Sequence, residues 1–345
     1  MQLAVNLPLD DAVGTAQAAE GLGYAAVVAP EGHRGDAASV LGLVAGRTER
    51  VALLSGVMQI PARAPGLAAL TAATLDTVSG GRFRLGLGVS NPDVSEGWYG
   101  VPFDRPLERT REYFAIVRAA LAGQAVDFAG EHYRLPPTGH AAEPLRLLAE
   151  RFPVPVPLLL AAVGTRNVRL AGEIADGWIG ALASPLTLPA SLALLREGRK
   201  EAGHDGLDGF EVVASVPVVP APDPDTAANA VRPFLARFIG LGAKERNFFH
   251  ALAGRLGYAE QVGRVHDRVH AGDLPGAAAA IPTDLVDQTS LLGDTARIAE
   301  GMRAYAEAGV TLLNILLPVT ATTPESRLAV LRTAAEALER SGVAG

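Results

Sequence analysis

Cysteine is absent from all 345 residues, which excludes disulfides, thiolate nucleophiles, cysteine-bound zinc and iron–sulfur clusters. Lysine is almost absent: Lys200 and Lys244 are the only two, and arginine carries the remaining positive charge. With a net charge of −7 there is no basic surplus for a phosphate backbone, so no nucleic-acid partner is expected. No apolar run approaches the roughly 20 residues that a membrane span requires. The chain enters an apolar alternation at once, Leu3-Ala4-Val5-Asn6-Leu7, without a basic leader or cleavage site, and a cytoplasmic location is expected. What is abundant is core material, since hydrophobic residues make up 49% and charged ones only 19%.

A short apolar run followed by a helical stretch recurs along the chain. Strands are expected at Leu3–Leu7, Tyr24–Ala29, Val51–Val57, Phe83–Gly88, Pro157–Ala161, Gly177–Ile179, Phe210–Val218 and Val310–Leu316. Between them lie stretches with apolar residues three and four apart, among them Asp10–Gly21, Pro65–Val78, Arg105–Ala122 and Leu188–Ala202. Repeated β-then-α runs imply parallel strands with right-handed crossovers. Eight such units predict an α/β fold, a (β/α)8 TIM barrel, as one domain over residues 1–345. A doubly wound open sheet fits the strand count less well. Two segments break the rhythm, at about 126–156 and 240–292. The first reads as a hairpin turning at Gly130 and then a proline-punctuated crossing. The second, with helices over Arg246–Tyr258 and Glu260–Ala271, is a helical insertion between strands 7 and 8, expected over the C-terminal mouth of the barrel.

The most informative block runs Met58-Gln-Ile-Pro-Ala-Arg63-Ala-Pro65, then Ala73-Thr-Leu-Asp76-Thr-Val-Ser79-Gly80-Gly81-Arg82-Phe83-Arg-Leu-Gly86-Leu-Gly88. Taken singly, its glycines are helix stops or small residues that let a barrel interior pack. As a string, the block resembles the luciferase-like superfamily of flavin- and deazaflavin-dependent oxidoreductases. Pro30-Glu31-Gly32, Gly88-Val-Ser90-Asn91, Glu96-Gly97-Trp98, Gly164-Thr-Arg-Asn167 and Asp176-Gly177-Trp178 are similar to its coenzyme F420-dependent branch, which includes methylenetetrahydromethanopterin reductase-like proteins. The resemblance spans nearly the whole chain.

That resemblance implies a site where the strand ends share one rim. Gly56, Val57 and Met58 would back the ring system, since this strand in the family carries a non-proline cis peptide; glycine lets backbone approach a flat heterocycle. Ser90 and Asn91 offer hydrogen bonds to the ring or ribityl chain. Val163, Gly164, Thr165, Arg166 and Asn167 open a helix, whose free amides and dipole suit a phosphate. Asp176, Gly177 and Trp178 would lie against the same tail. Glu31 and His33, past strand two, are the acid/base candidates. His266 and His270 have i, i+4 spacing but no metalloenzyme signature, and no metal site is expected.

The implied activity is an F420-dependent oxidoreductase passing hydride between the deazaflavin C5 and a small organic substrate, as a reductase of a C=C or C=N bond. The same fold supports two alternatives, an FMN-dependent monooxygenase and a flavin-binding barrel without turnover. The family resemblance also implies a homodimer paired through the helices beside strands two and three.

Overall fold

In the computed structural model, which describes residues 1–33, 35–148 and 155–345, eight parallel strands close on themselves. They are β1 (Gln2–Asn6), β2 (Ala26–Ala29), β3 (Ala52–Ser55), β4 (Phe83–Gly88), β5 (Leu158–Ala161), β6 (Gly177–Ala181), β7 (Glu211–Pro220) and β8 (Leu312–Leu316). Pairing of β6 with β7 and of β8 with β1 leaves no edge, so the sheet is a barrel and the open doubly wound alternative falls away. Around it run α1 (Ala12–Gly21), α2 (Ala37–Ala45), α3 (Pro65–Ser79), α4 (Pro106–Leu121), α5 (Thr165–Ile174), α6 (Leu188–Glu201), α7 (Pro224–Ile239), α8 (Thr295–Glu307) and α9 (Pro324–Ser341).

The helix starts are written locally. Asp36, Asp223 and Asp294 each accept a first-turn amide at the heads of α2, α7 and α8, and Thr323 with Ser326 forms a capping box on α9. Proline occupies the first turn of α3 and α4, where no amide partner is lost.

Strand alternation divides the apolar side chains into two shells. Ala4, Ala26, Val28, Leu54, Leu159, Ile179, Val213 and Leu312 fill the barrel. Leu53, Leu85, Leu87, Leu158 and Leu160 point outward against the helices, and α3 meets them with the small residues Ala68, Ala69 and Ala72. Each such leucine contributes about 1.5–3 kcal/mol by leaving water.

At the N-terminal end of the barrel, Arg82 ties three elements together. It donates to the carbonyl oxygens of Ser79, Ala45, Thr48 and Val51. Gly80 and Gly81, both at positive φ, turn the chain into β4 beside it.

The first interruption contains the expected hairpin, Phe128–Ala129 paired with Arg134–Leu135 and turned by Gly130. Residues 149–154 of the crossing segment lie outside the described residues. In the second, the helices are Phe248–Ala253 and Ala259–His270, separated by a π-helical turn at Gly254–Tyr258 in which Gly257 has φ 98°. Leu274–Ala279 and Thr283–Gln288 follow. This insertion packs a second core on α7 through Val262, Val265, Ala277, Leu285 and Val286. It ends in a short strand, Leu291–Gly293, added beside the long C-terminal end of β7. That strand and α8 were not anticipated, although Asp294 is an ordinary capping signal.

A constraint on the barrel wall sits between β3 and β4. The Ser55 hydroxyl donates to the Gly86 carbonyl and accepts from the Gly86 amide, both at 2.9 Å. A Cβ on Gly86 would run into the Ser55 carbonyl oxygen and come within 2.9 Å of Ile179 Cδ1. Gly86→Ala is therefore expected to lower stability by about 1–3 kcal/mol through overpacking. Urea unfolding of the two proteins measures it, and equal midpoints would show that the wall yields freely.

Candidate active site

Because every barrel strand is parallel, all eight C-terminal ends open on one rim, the usual place for chemistry in this architecture. The interior is fully packed at mid-height, where Ala4, Leu54, Leu159 and Val213 have no exposure. One layer higher the inward positions become partly exposed: Asn6, Val57, Ala161, Ala181 and Ser215. Four of the residues around this layer are small, Gly88, Ala161, Ala181 and Ser215. A Cβ on Gly88 would meet Val57 Cγ2 at 2.7 Å. The result is a shallow, mostly apolar floor with polar groups at one side. Asn314 Nδ2 donates to Ser215 Oγ at 3.0 Å and to Asn6 Oδ1 at 3.3 Å, while its Oδ1 is buried without a partner among the described residues.

The peptide bond Gly56–Val57, immediately after β3, is cis and involves no proline. The missing Cβ of Gly56 faces inward, where it would run into Val28 Cγ1. Core packing therefore requires this glycine as firmly as any bound ring would. Val57 borders the floor. Met58 has its backbone at the rim but its side chain in the outer core, with no exposure.

The loop after β2 is anchored by a buried ion pair. Glu31 accepts from Arg63 Nη1 at 2.7 and 2.8 Å and from the Gln59 amide at 3.0 Å. Arg63 Nη2 also reaches Asp36 at 2.7 Å, and its carbonyl accepts from Tyr113 Oη. Burial alone would lower the Arg63 pKa, but the Glu31 and Asp36 carboxylates outweigh it and hold the cation above its ordinary range. Thus the Glu31 carboxylate, only 5% exposed, is committed to joining the β2 and β3 loops. His33 is exposed and packs on Trp98, with ring centroids 5.6 Å apart.

Beyond β4, Ser90 takes a left-handed conformation (φ 63°), and Asn91 Oδ1 caps the short helix Pro92–Gly97 through the Val94 amide. Beyond β6, Leu182 is also left-handed, at φ 49°. Strained backbone of this kind collects at functional rims. Val163–Asn167 form the opposite edge, where Gly164 heads α5 with no side-chain cap and no acidic residue in the first turn. Thr165 and Arg166 are exposed, and Arg255 from the insertion reaches the Val163 carbonyl. The insertion touches the rim again at Gly242, where a Cβ would strike the Asp93 carboxylate.

The rim thus gathers Glu31, His33, Gly56, Val57, Ser90, Asn91 and Val163–Asn167, but not Asp176, Gly177 and Trp178. These three stand at the start of β6, so the barrel's direction puts Asp176 and Gly177 at the far end. Asp176 accepts the Leu158 amide at 2.8 Å and pairs with Arg118. Trp178 faces outward, its indole donating to the Ala162 carbonyl at 2.9 Å, and supports the α5 edge from behind. The parts of the rim that the sequence reading missed are Asn6, Ser215, Asn314, Ala181 and Arg255. Inward alternation marks the strand residues, whereas Arg255 arrives only by tertiary folding.

The architecture is that of a (β/α)8 barrel whose open rim places a shallow floor beside an uncapped helix start, an arrangement that suits an anionic ligand. The profile of the luciferase-like monooxygenase family matches residues 2–312, and the chain belongs to that family. It is 39% identical over 303 residues to a Mycobacterium tuberculosis protein named "Putative coenzyme F420-dependent oxidoreductase Rv3520c", covering 86% of this chain and 87% of that one. The fold matches the coenzyme F420-dependent tetrahydromethanopterin reductase of Methanopyrus kandleri, with a TM-score of 0.78 at 22% identity over 96% of both chains. It also matches an F420-dependent secondary alcohol dehydrogenase solved with an F420–acetone adduct, with a TM-score of 0.78 at 19% identity over 98% of both chains.

The anchor has a pH signature. Burial would raise the Asp36 pKa, but the Ser39 hydrogen bonds and Arg63 overcome this and hold it below its ordinary 3.8. A depressed carboxylate stabilises the fold above its unfolded pKa, and that contribution is lost as pH falls through the folded value. Asp36→Asn is therefore expected to flatten the loss of stability below about pH 4. Urea unfolding across that range tests it, and an unchanged acid limb would show that Asp36 is not so held.

Proposed function

We propose that the rim binds the deazaflavin coenzyme F420 and that the protein is an F420-dependent oxidoreductase acting on a small organic substrate, as a reductase of a C=C or C=N bond. The observation that carries the reading is the open first turn of α5, flanked by Arg166 and Arg255, beside a floor of small strand-end residues. The named relative at 39% identity supports the choice of cofactor.

When bound, the deazaflavin supplies a carbon that takes or gives hydride. The chain supplies everything else. Gly88, Ala161 and Ala181 leave room for a flat ring, and Val57 borders it. Ser90 Oγ and Asn91 Nδ2 offer hydrogen bonds, while the free amides of Thr165 and Arg166 with the Arg166 guanidinium hold a phosphate. The unpartnered Asn314 Oδ1 offers an acceptor to a donor on the ring. His33, exposed at the outer lip with its ring against Trp98, is the group placed to give or take the proton. Glu31 fixes the His33 loop through Arg63 and does not exchange the proton itself. Arg63 and Arg169 are engaged by Glu31 and Glu201 and are not available to the cofactor's tail, whereas Arg166 is exposed beside it.

Calorimetric titration with both cofactors tests the assignment. F420 is expected to bind about ten- to a hundredfold tighter than FMN, the worth of about 1–3 kcal/mol from matched polar groups. FMN binding as tightly, with oxygen consumption in the presence of a flavin reductase, would favour the monooxygenase instead.

Gly164→Asp separates anion binding from folding. A carboxylate at this cap is expected to raise thermal stability slightly, by about 0.5–1 kcal/mol, and to weaken cofactor binding about tenfold or more. Unchanged affinity would move the phosphate elsewhere.

The proposal extends to a homodimer. Leu43 on α2 and Leu67, Leu70 and Val78 on α3 are each about half exposed, apolar side chains of the kind that a two-fold partner covers. Light scattering is expected to give twice the 35.7 kDa chain mass, and Leu70→Glu to shift it toward the monomer. A monomer mass for the unaltered chain at micromolar concentration would contradict it.

A further inference from the structure

We propose that Glu108, Glu131 and His132 form a binding site for a divalent transition-metal ion on the flank of the barrel, independent of the rim chemistry. Glu108 stands in the first turn of α4, and Glu131 and His132 occupy the turn of the hairpin that follows it. Glu112, one turn further along α4, fixes that turn. Its carboxylate accepts the backbone amides of Glu131, His132 and Tyr133 at 2.7, 2.9 and 2.9 Å. One ligand atom from each of Glu108, Glu131 and His132 then lies within 4.8 Å of the others.

Acidic residues at a helix start are common, and the histidine is what marks this set. The His132 side chain is only 4% exposed, and its Nε2 lies 3.8 Å from Glu108 Oε2. That nitrogen has no hydrogen-bond partner among the described residues. A buried imidazole nitrogen with two carboxylates in reach supplies three of the four ligands of a tetrahedral site.

The donor set, one imidazole nitrogen and two carboxylate oxygens, suits a borderline ion such as Zn2+ better than Mg2+, which favours oxygen and water. Zinc–ligand bonds of about 2.0–2.2 Å put ligand atoms roughly 3.3 Å apart in a tetrahedron. The two glutamates must therefore close by about 1 Å, which their exposed side chains (58% and 62%) permit. Arg105 currently supplies the countercharge, pairing with Glu131 and, at 3.3 Å, with Glu108. It is half exposed and free to swing away, so metal and guanidinium compete for the same oxygens. Sequence spacing concealed the set, because a helix and a hairpin separate Glu108 from His132.

Calorimetric titration of the full chain with ZnCl2, and separately with MgCl2, tests the proposal. About one equivalent of zinc is expected to bind saturably, with magnesium much weaker. His132→Ala is expected to weaken zinc about tenfold or more. Glu108→Gln, at an exposed position, should do the same without risk to folding, which circular dichroism checks in each variant. Arg105→Ala is expected to tighten zinc by removing the competitor. Absence of saturable zinc binding, or zinc affinity unaltered in the folded His132→Ala and Glu108→Gln variants, would overturn the site. So would an Arg105→Ala variant that binds zinc no more tightly.

Discussion

Closure of eight parallel strands is the constraint from which the rest of the molecule follows. Once β6 pairs with β7 and β8 with β1, every strand must end on the same rim, and every inward side chain competes for one narrow interior. Bulky residues fill the middle of that interior and small ones its top. The rim has a shallow floor because small residues occupy its uppermost layer. Elsewhere the barrel has no such room: Gly86 exists because Ser55 is already there, and Gly56 because Val28 is.

Long loops then need rigid posts, and charge provides them where apolar packing ends. Glu31, Arg63 and Asp36 connect the β2 loop, the turn after β3 and the head of α2. An ion pair this enclosed gains little net energy over apolar packing, yet breaking it strands a charge, so it fixes geometry more than it adds stability. That view gives Glu31 a positioning part and leaves His33, exposed beside Trp98, as the group free to handle a proton.

The architecture was legible in the sequence because period-2 and period-3.6 patterns are local, and eight alternations leave few topologies. The hairpin at Gly130 was legible for the same reason. Direction was harder to read. Asp176–Trp178 matched a family pattern, but a strand's first residues lie at the opposite end of the barrel from its last, and only the end of β6 reaches the rim. The run Ser79-Gly-Gly-Arg82-Phe83 is the most recognisable in the chain, yet its arginine clamps carbonyl oxygens at the far end of the barrel. Recognisability there reflects folding. Asn6, Ser215, Asn314 and Arg255 went unread because no local pattern brings β1, β7, β8 and the insertion to one place.

Hydride transfer without oxygen is the central chemical claim, and anaerobic mixing tests it most directly. The protein would be combined with reduced F420 and a panel of enoyl and imine compounds while cofactor absorbance is followed. The account predicts oxidation of the deazaflavin that depends on both substrate and protein and proceeds in the absence of oxygen. Cofactor oxidation that requires oxygen, or turnover with reduced FMN alone, would contradict it.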